Sequence, residues 1–167
     1  MKEIIPNGNY SVIRKLSTAN GEGLRNSIYL SGCKLHCKGC FNFEAWDFNA
    51  GKKVNEDTIK DLCDGMDYED GISILGGEPM DIDNQRDTAY IIQEFKRFYP
   101  DKTIFLWTGY VLENLPRTEY TNYILENLDM VVDGPFIQDL YSPKLTNKGS
   151  SNQREILKDE LKKYLTN

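Results

Sequence analysis

The chain has 167 residues, of which 40% are hydrophobic, enough to bury one good core and most simply a single domain over 1–167. A net charge of −6 argues against the basic surface that a nucleic-acid partner would need, so a protein or small-molecule partner is expected. No apolar run approaches the roughly 20 residues that cross a bilayer, and no charged-then-apolar leader is seen, which leads to the expectation of a cytoplasmic protein with no membrane partner and reduced thiols.

Residues 1–9 carry Pro6, Gly8 and Asn9 and read as an irregular start, followed by a β-prone run at 10–16 and a loop at 18–23. A short strand signal at 27–31 ends at Gly32 and delivers the stretch Cys33-Lys34-Leu35-His36-Cys37-Lys38-Gly39-Cys40-Phe41-Asn42. Trp46 and Phe48 beside it read as a hydrophobic cover. Asn55 is a good helix N-cap, with Glu56 and Asp57 where the macrodipole favours anions, and the helix is expected to reach about Gly65 with Ile59, Leu62, Cys63 and Met66 on its apolar stripe. A buried strand at 71–75 stops at Gly76-Gly77-Glu78-Pro79, where a glycine pair would let backbone carbonyls approach a ligand or would simply make a turn.

Asp83 or Asn84 can cap a helix reaching Tyr99, with Ile91, Ile92, Phe95, Phe98 and Tyr99 as its buried stripe and Pro100 as its stop. Residues 104–107 form a third apolar strand ending in Thr108-Gly109-Tyr110, a helix is expected around 119–127, and the strand at 130–132 ends at Asp133-Gly134-Pro135. Residues 138–151 are loop-like, and 154–157 fit either a last strand or the start of the terminal helix. Strands alternating with amphipathic helices predict an α/β fold with a mostly parallel sheet, in which the motifs at strand ends share one rim.

Three of the four cysteines fall in one C-x3-C-x2-C loop, and in a reducing compartment such a cluster reads as metal-binding or catalytic. A structural zinc site needs four protein ligands, and an ordinary iron–sulfur cube needs four thiolates. Cys63 reads as a small core residue, while His36 would complete the Cys3His site of a small zinc-binding interaction module but adjoins Cys37. If neither ligates, a cube held here keeps one iron open to a substrate.

The cysteine spacing followed by Gly76-Gly77-Glu78-Pro79 resembles the radical S-adenosylmethionine superfamily. More narrowly, Gly39-Cys40-Phe41-Asn42 with Trp46-Asp47-Phe48, then Trp107-Thr108-Gly109-Tyr110, Val132-Asp133-Gly134-Pro135-Phe136 and Gly149-Ser150-Ser151-Asn152-Gln153-Arg154 resemble the activating proteins of anaerobic (class III) ribonucleoside-triphosphate reductases, in that family's order. The resemblance implies a partial, open TIM-type barrel with outer helices, its core at about 10–157 and a tail or helix at 158–167. It implies a [4Fe-4S] cluster on Cys33, Cys37 and Cys40, with S-adenosylmethionine on the open iron and its methionine end at Gly76, Gly77 and Glu78. Gly39, Cys40 and Phe41 would stand on the adenine side. Thr108 and Asp133 occupy strand ends where relatives contact the ligand, positions that also suit turn-forming or capping residues, and Asn152 and Arg154 are open in the same way. The implied reaction transfers an electron to the sulfonium, and the resulting 5′-deoxyadenosyl radical makes a glycyl radical on the large reductase subunit. A reduced flavodoxin-like protein is the implied donor. An activator of a formate-lyase-type enzyme would share this chemistry. Lys34 and Lys38 could hold an anionic partner or keep the loop soluble, and the second reading is preferred.

Overall fold

A computed structural model describes residues 2–167. Among these, seven strands form one sheet: β1 (Asn9–Ser17), β2 (Arg25–Leu30), β3 (Lys52–Lys53), β4 (Gly71–Gly76), β5 (Thr103–Trp107), β6 (Met130–Asp133) and β7 (Arg154–Leu157), in the order β3-β1-β2-β4-β5-β6-β7. The helices are α1 (Glu56–Cys63), α2 (Gln85–Phe98), α3 (Thr121–Asn127) and α4 (Lys158–Leu161). No helix among the described residues is long and apolar enough to cross a membrane.

The four middle strands, β2, β4, β5 and β6, are parallel, whereas β1, β3 and β7 add antiparallel flanks. The expectation of a mostly parallel sheet therefore holds for the centre and not for the edges. The cause at one flank is loop length: residues 18–24 cannot make the crossover of roughly a dozen residues that a parallel pair requires, so β1 and β2 form a hairpin. At the other flank, residues 154–157 are a strand and not the start of a helix, because they pair with the free edge of β6, Asp133 opposite Arg154 and Val131 opposite Ile156.

One rung of the sheet runs Ile28, Ile74, Leu106, Val131, Ile156. All five are buried, and they pack with Ile59 and Leu62 of α1, Ile91, Ile92 and Phe95 of α2, and Ile124 and Leu125 of α3. Each such aliphatic side chain contributes roughly 2 kcal/mol by leaving water. Because side chains alternate across a strand, this pins the register: Tyr29, Ser73, Leu75, Phe105 and Trp107 must face the other way.

Asn55 caps α1 as expected: its Oδ1 accepts from the N–H groups of Asp57 and Thr58, and its own N–H donates to Thr58 Oγ1 at 3.0 Å. The helix ends at Cys63, which is half-buried at the edge of the core. In α2 the expected stripe fails at one place: Phe98 is 60% exposed. Tyr99, four residues after Phe95, takes the inner position with its ring 5.7 Å from that of Phe95, and Phe98 is left at the lip of a surface groove with Ile4, Ile59 and Tyr90.

On the face away from the helices, Arg25 is 1% exposed. Its guanidinium lies 3.6 Å over the Phe105 ring, with Nε donating to Ser73 Oγ and the two terminal nitrogens to Thr103 Oγ1 and the carbonyls of Ile72 and Thr103. Burial lowers its pKa to about 10, so it remains charged at neutral pH. Arg25→Lys keeps the charge but loses the planar fork, leaving buried acceptors without donors. It should cost on the order of 3 kcal/mol in urea unfolding of the cluster-free chain; an unchanged midpoint would contradict the bracing role.

Candidate functional site

The C-terminal ends of the parallel strands open into one cavity of about 480 Å³. It is lined by Cys33, Cys37, Cys40 and Phe41 from the cysteine loop, by Gly76, Gly77 and Glu78 after β4, and by Trp107, Thr108 and Gly109 after β5.

The cysteine loop leaves β2 through Gly32, whose φ of +106° is left-handed. Gly32 N–H donates to the Ala45 carbonyl at 2.7 Å and Cys33 N–H to the Trp46 carbonyl at 3.1 Å, so the loop closes on the 3₁₀ turn Phe43–Trp46. His36, at φ +48°, stacks on Trp46 with ring centroids 4.2 Å apart. Gly39, at φ +77°, turns the chain back so that Cys40 N–H reaches the Cys37 carbonyl at 3.1 Å. Asn42 N–H then donates to Cys40 Sγ at 3.4 Å.

Gly76 and Gly77 have a packing reason to be glycine. A Cβ on Gly76 would lie 2.2 Å from Leu30 N, and one on Gly77 would lie 2.3 Å from the Gly32 carbonyl oxygen. Their clearance is toward the backbone that carries the cysteines. The Glu78 carboxylate is 1% exposed. Its Oε1 accepts from Met80 N–H at 2.9 Å and Thr108 Oγ1 at 2.6 Å, and its Oε2 from Gly109 N–H at 2.6 Å. Burial pushes its pKa up to about 7 against the pull of those three donors.

Asp133 is fully buried and is not among the cavity's lining residues. Leu112 N–H donates to its Oδ2 at 2.9 Å, and Arg154 holds both of its oxygens while also gripping Glu113 in a two-pronged pair. That guanidinium brings the exposed Glu113 carboxyl down to about 2. Asn152 donates to the Pro135 carbonyl at 2.7 Å. Gly39 likewise stands outside the lining, against the Gln138 side chain. Lys34 is tied down, with Nζ 3.1 Å from Asp81 and 2.6 Å from Asp83, whereas Lys38 is exposed.

The cavity also takes in Asn20, Tyr29, Asn147 and Gln153, which the motifs did not single out for a ligand role. Asn20 Nδ2 donates to the Tyr29 hydroxyl at 2.8 Å, and Trp107 Nε1 donates to the Asn147 carbonyl at 2.6 Å. Tyr29 was findable by period-two alternation between buried Ile28 and Leu30; Asn20 and Asn147 lie in loops whose position only the folded sheet supplies.

Three thiols, those of Cys33, Cys37 and Cys40, line the cavity. His36 lies with its ring face against Trp46, and Cys63 lines a different groove with Ile59 and Tyr90. Among the described residues, no three His, Cys, Asp or Glu side chains close on a point as they would round one ion. Thiols that ligate different irons of a cluster need not meet as closely as the ligands of one zinc ion. Burial raises the pKa of Cys33 and Cys37, keeping them neutral until a metal displaces their protons.

The model of the 4Fe-4S single cluster domain family matches residues 19–156, a span that holds all three loop cysteines and every lining residue. The anaerobic ribonucleoside-triphosphate reductase-activating protein of Haemophilus influenzae is 36% identical over 149 residues, 87% of this chain and 95% of that one. The protein of that name from Escherichia coli K12 is also 36% identical, covering 87% and 96%, and that of Enterobacteria phage T4 is 32% identical, covering 87% and 92%. The chain belongs to the anaerobic ribonucleoside-triphosphate reductase-activating protein family. The family model is that of a single 4Fe-4S cluster domain, and three buried or half-buried thiols at one cavity fit such a cluster.

The raised carboxyl of Glu78 has a thermodynamic consequence for the family's cluster-free chain. A carboxyl whose folded pKa exceeds its ordinary value stabilises the fold fully below that ordinary value, and the contribution is lost as pH rises through about 7. Wild type should lose up to about 3 kcal/mol from this group between about pH 4 and 8, and Glu78→Gln should not. The wild-type urea midpoint should therefore fall across that range relative to that of Glu78→Gln; parallel curves would contradict it.

Proposed function

We propose that this chain is an iron–sulfur activating enzyme that uses S-adenosylmethionine to install a glycyl radical on an anaerobic ribonucleoside-triphosphate reductase. Bound cluster and cofactor together supply a one-electron reductive cleavage to methionine and a 5′-deoxyadenosyl radical, which takes a hydrogen atom from the glycine Cα and becomes 5′-deoxyadenosine. The electron comes from a reduced flavodoxin-like donor. The observation that carries the reading is that three thiols, the Gly76–Gly77–Glu78 turn and Thr108 line one cavity. The reductase named in the relatives supports that partner over a formate-lyase type.

Cys33, Cys37 and Cys40 hold the cluster. Gly76 and Gly77 present backbone to the methionine end, and Glu78, whose oxygens are taken up by Met80, Thr108 and Gly109, keeps that backbone in place. Thr108 acts through Glu78. Phe41, which lines the cavity and is 74% exposed, offers an aromatic face toward adenine, and Gly39 supplies the bend that lets Cys40 return. Asp133 braces β6 against β7 through Arg154. Residues 1–167 act as a single domain in the cytoplasm, with the sheet curved as an open barrel; lining residues from β2, β4, β5 and the segment before β7 round one cavity support that curvature. The reductase glycine must come within about 3–3.5 Å of the reacting carbon, so its loop enters past the exposed Phe41, whose ring lies 5.6 Å from that of Tyr141.

Anaerobic reconstitution, reduction, and incubation with S-adenosylmethionine and the reductase tests this. The expected results are 5′-deoxyadenosine and a glycyl-radical doublet by electron paramagnetic resonance. Cys37→Ala should lower both by more than about 100-fold, beyond the usual effect of an outer-shell change. Cys63→Ala, off the site, should keep its iron and its product yield; loss of iron there would mean a fourth thiolate and sink the open-site reading.

A further inference from the structure

Asn84 stands at the N-cap of α2 yet its side chain makes no capping hydrogen bond. A forgone cap costs about 1 kcal/mol of helix stability. The amide is spent on loops instead: Nδ2 donates to the carbonyls of Ser31 at 3.2 Å, Gly32 at 3.1 Å and Glu78 at 3.0 Å. Three carbonyl oxygens round one atom require that atom to be the nitrogen, whose two hydrogens are shared among the three. The residue is 2% exposed, so these bonds form out of water.

The acceptors are telling. Ser31 and Gly32 lead directly into Cys33, and Glu78 ends the glycine-pair turn. The neighbouring buried polar residues of α2 serve differently: Gln85 donates to the carbonyls of Met80 and Pro116, and Thr88 to that of Pro79. They fasten the helix to the chain that follows Glu78, whereas Asn84 reaches across to the cysteine loop as well. The Gly32 carbonyl is shared, since it also accepts from Glu78 N–H at 2.8 Å.

We propose that Asn84 is a positioning residue that sets the spacing between the cysteine loop and the Gly76–Glu78 turn, and through that spacing the affinity for S-adenosylmethionine. This rests on the function proposed above, in which those two segments hold the two halves of one binding site. Loss of the clip leaves the backbone bonds from Gly77 and Glu78 to β2 and Gly32 intact. The fold and the three thiols therefore survive, and the relative placement of the two loops loosens.

Asn84→Ser separates the roles, because serine caps a helix well but its short hydroxyl cannot replace a donor to three carbonyls. Three quantities are read on anaerobic preparations: unfolding of the cluster-free chain, iron and sulfide per chain after reconstitution, and the S-adenosylmethionine titration of the reduced cluster's paramagnetic signal. A chain that still folds cooperatively and takes up wild-type iron is expected, with affinity weaker by about 10–100-fold. Thr88→Val, which cuts a buried bond of the same helix without touching the cysteine loop, should keep wild-type affinity. Unchanged affinity in Asn84→Ser, equal weakening in Thr88→Val, or an Asn84→Ser chain that no longer folds would each overturn the proposal. A wild type whose signal ignores S-adenosylmethionine would overturn the functional reading itself, and is recognised without any variant.

Discussion

Two backbone hydrogen bonds carry the site. Gly77 N–H donates to the Leu30 carbonyl and Glu78 N–H to the Gly32 carbonyl, both at 2.8 Å, so the parallel pairing of β2 with β4 continues past the sheet into the loops. That approach leaves no room for side chains at 76 and 77. The glycine pair is thus a consequence of two backbones in contact, and the acidic residue after it is delivered to the cysteine loop by sheet register, not by a flexible turn.

The same constraint creates the electrostatic problem at Glu78. A carboxylate buried beside thiols gains little from solvent, and the structure compensates with donors and not with a cation: one hydroxyl and two backbone N–H groups. Lys34 of the cysteine loop is bound to Asp81 and Asp83. Elsewhere the cavity wall includes the amides and aromatics Asn20, Asn147, Gln153, Tyr29 and Trp107 beside the aliphatic Leu35, Leu75 and Leu145, with Lys148 donating to the Gln153 carbonyl. A wall of that kind suits a sulfonium ligand, which a strongly cationic pocket would repel.

Much of this was legible in the chain because it is local. The capping of α1 by Asn55, the apolar strands before each motif, and the three cysteines in one loop depend on residues within a few positions of one another. What was not legible depends on partners far apart. Phe98 has the spacing of a buried residue, but Tyr99 occupies the place against Phe95. Residues 154–157 have a helix-compatible pattern, and the open edge of β6 makes them a strand. Asp133 ends a strand as Thr108 does, yet only Thr108 faces the cavity; Asp133 is captured by Arg154, twenty-one positions on.

The amino-acid sequence by itself determined which groups are on offer: three thiols in one loop, a glycine pair before an acid, and no other cysteine close by in the chain. Residue type and short spacing decide which groups are available to a metal, and both are written in the chain. Which of those groups meet, and that an asparagine at the head of α2 would leave its helix uncapped to join two loops, only the tertiary structure decided. The reason is that β-pairing brings together segments whose separation along the chain carries no record of their contact.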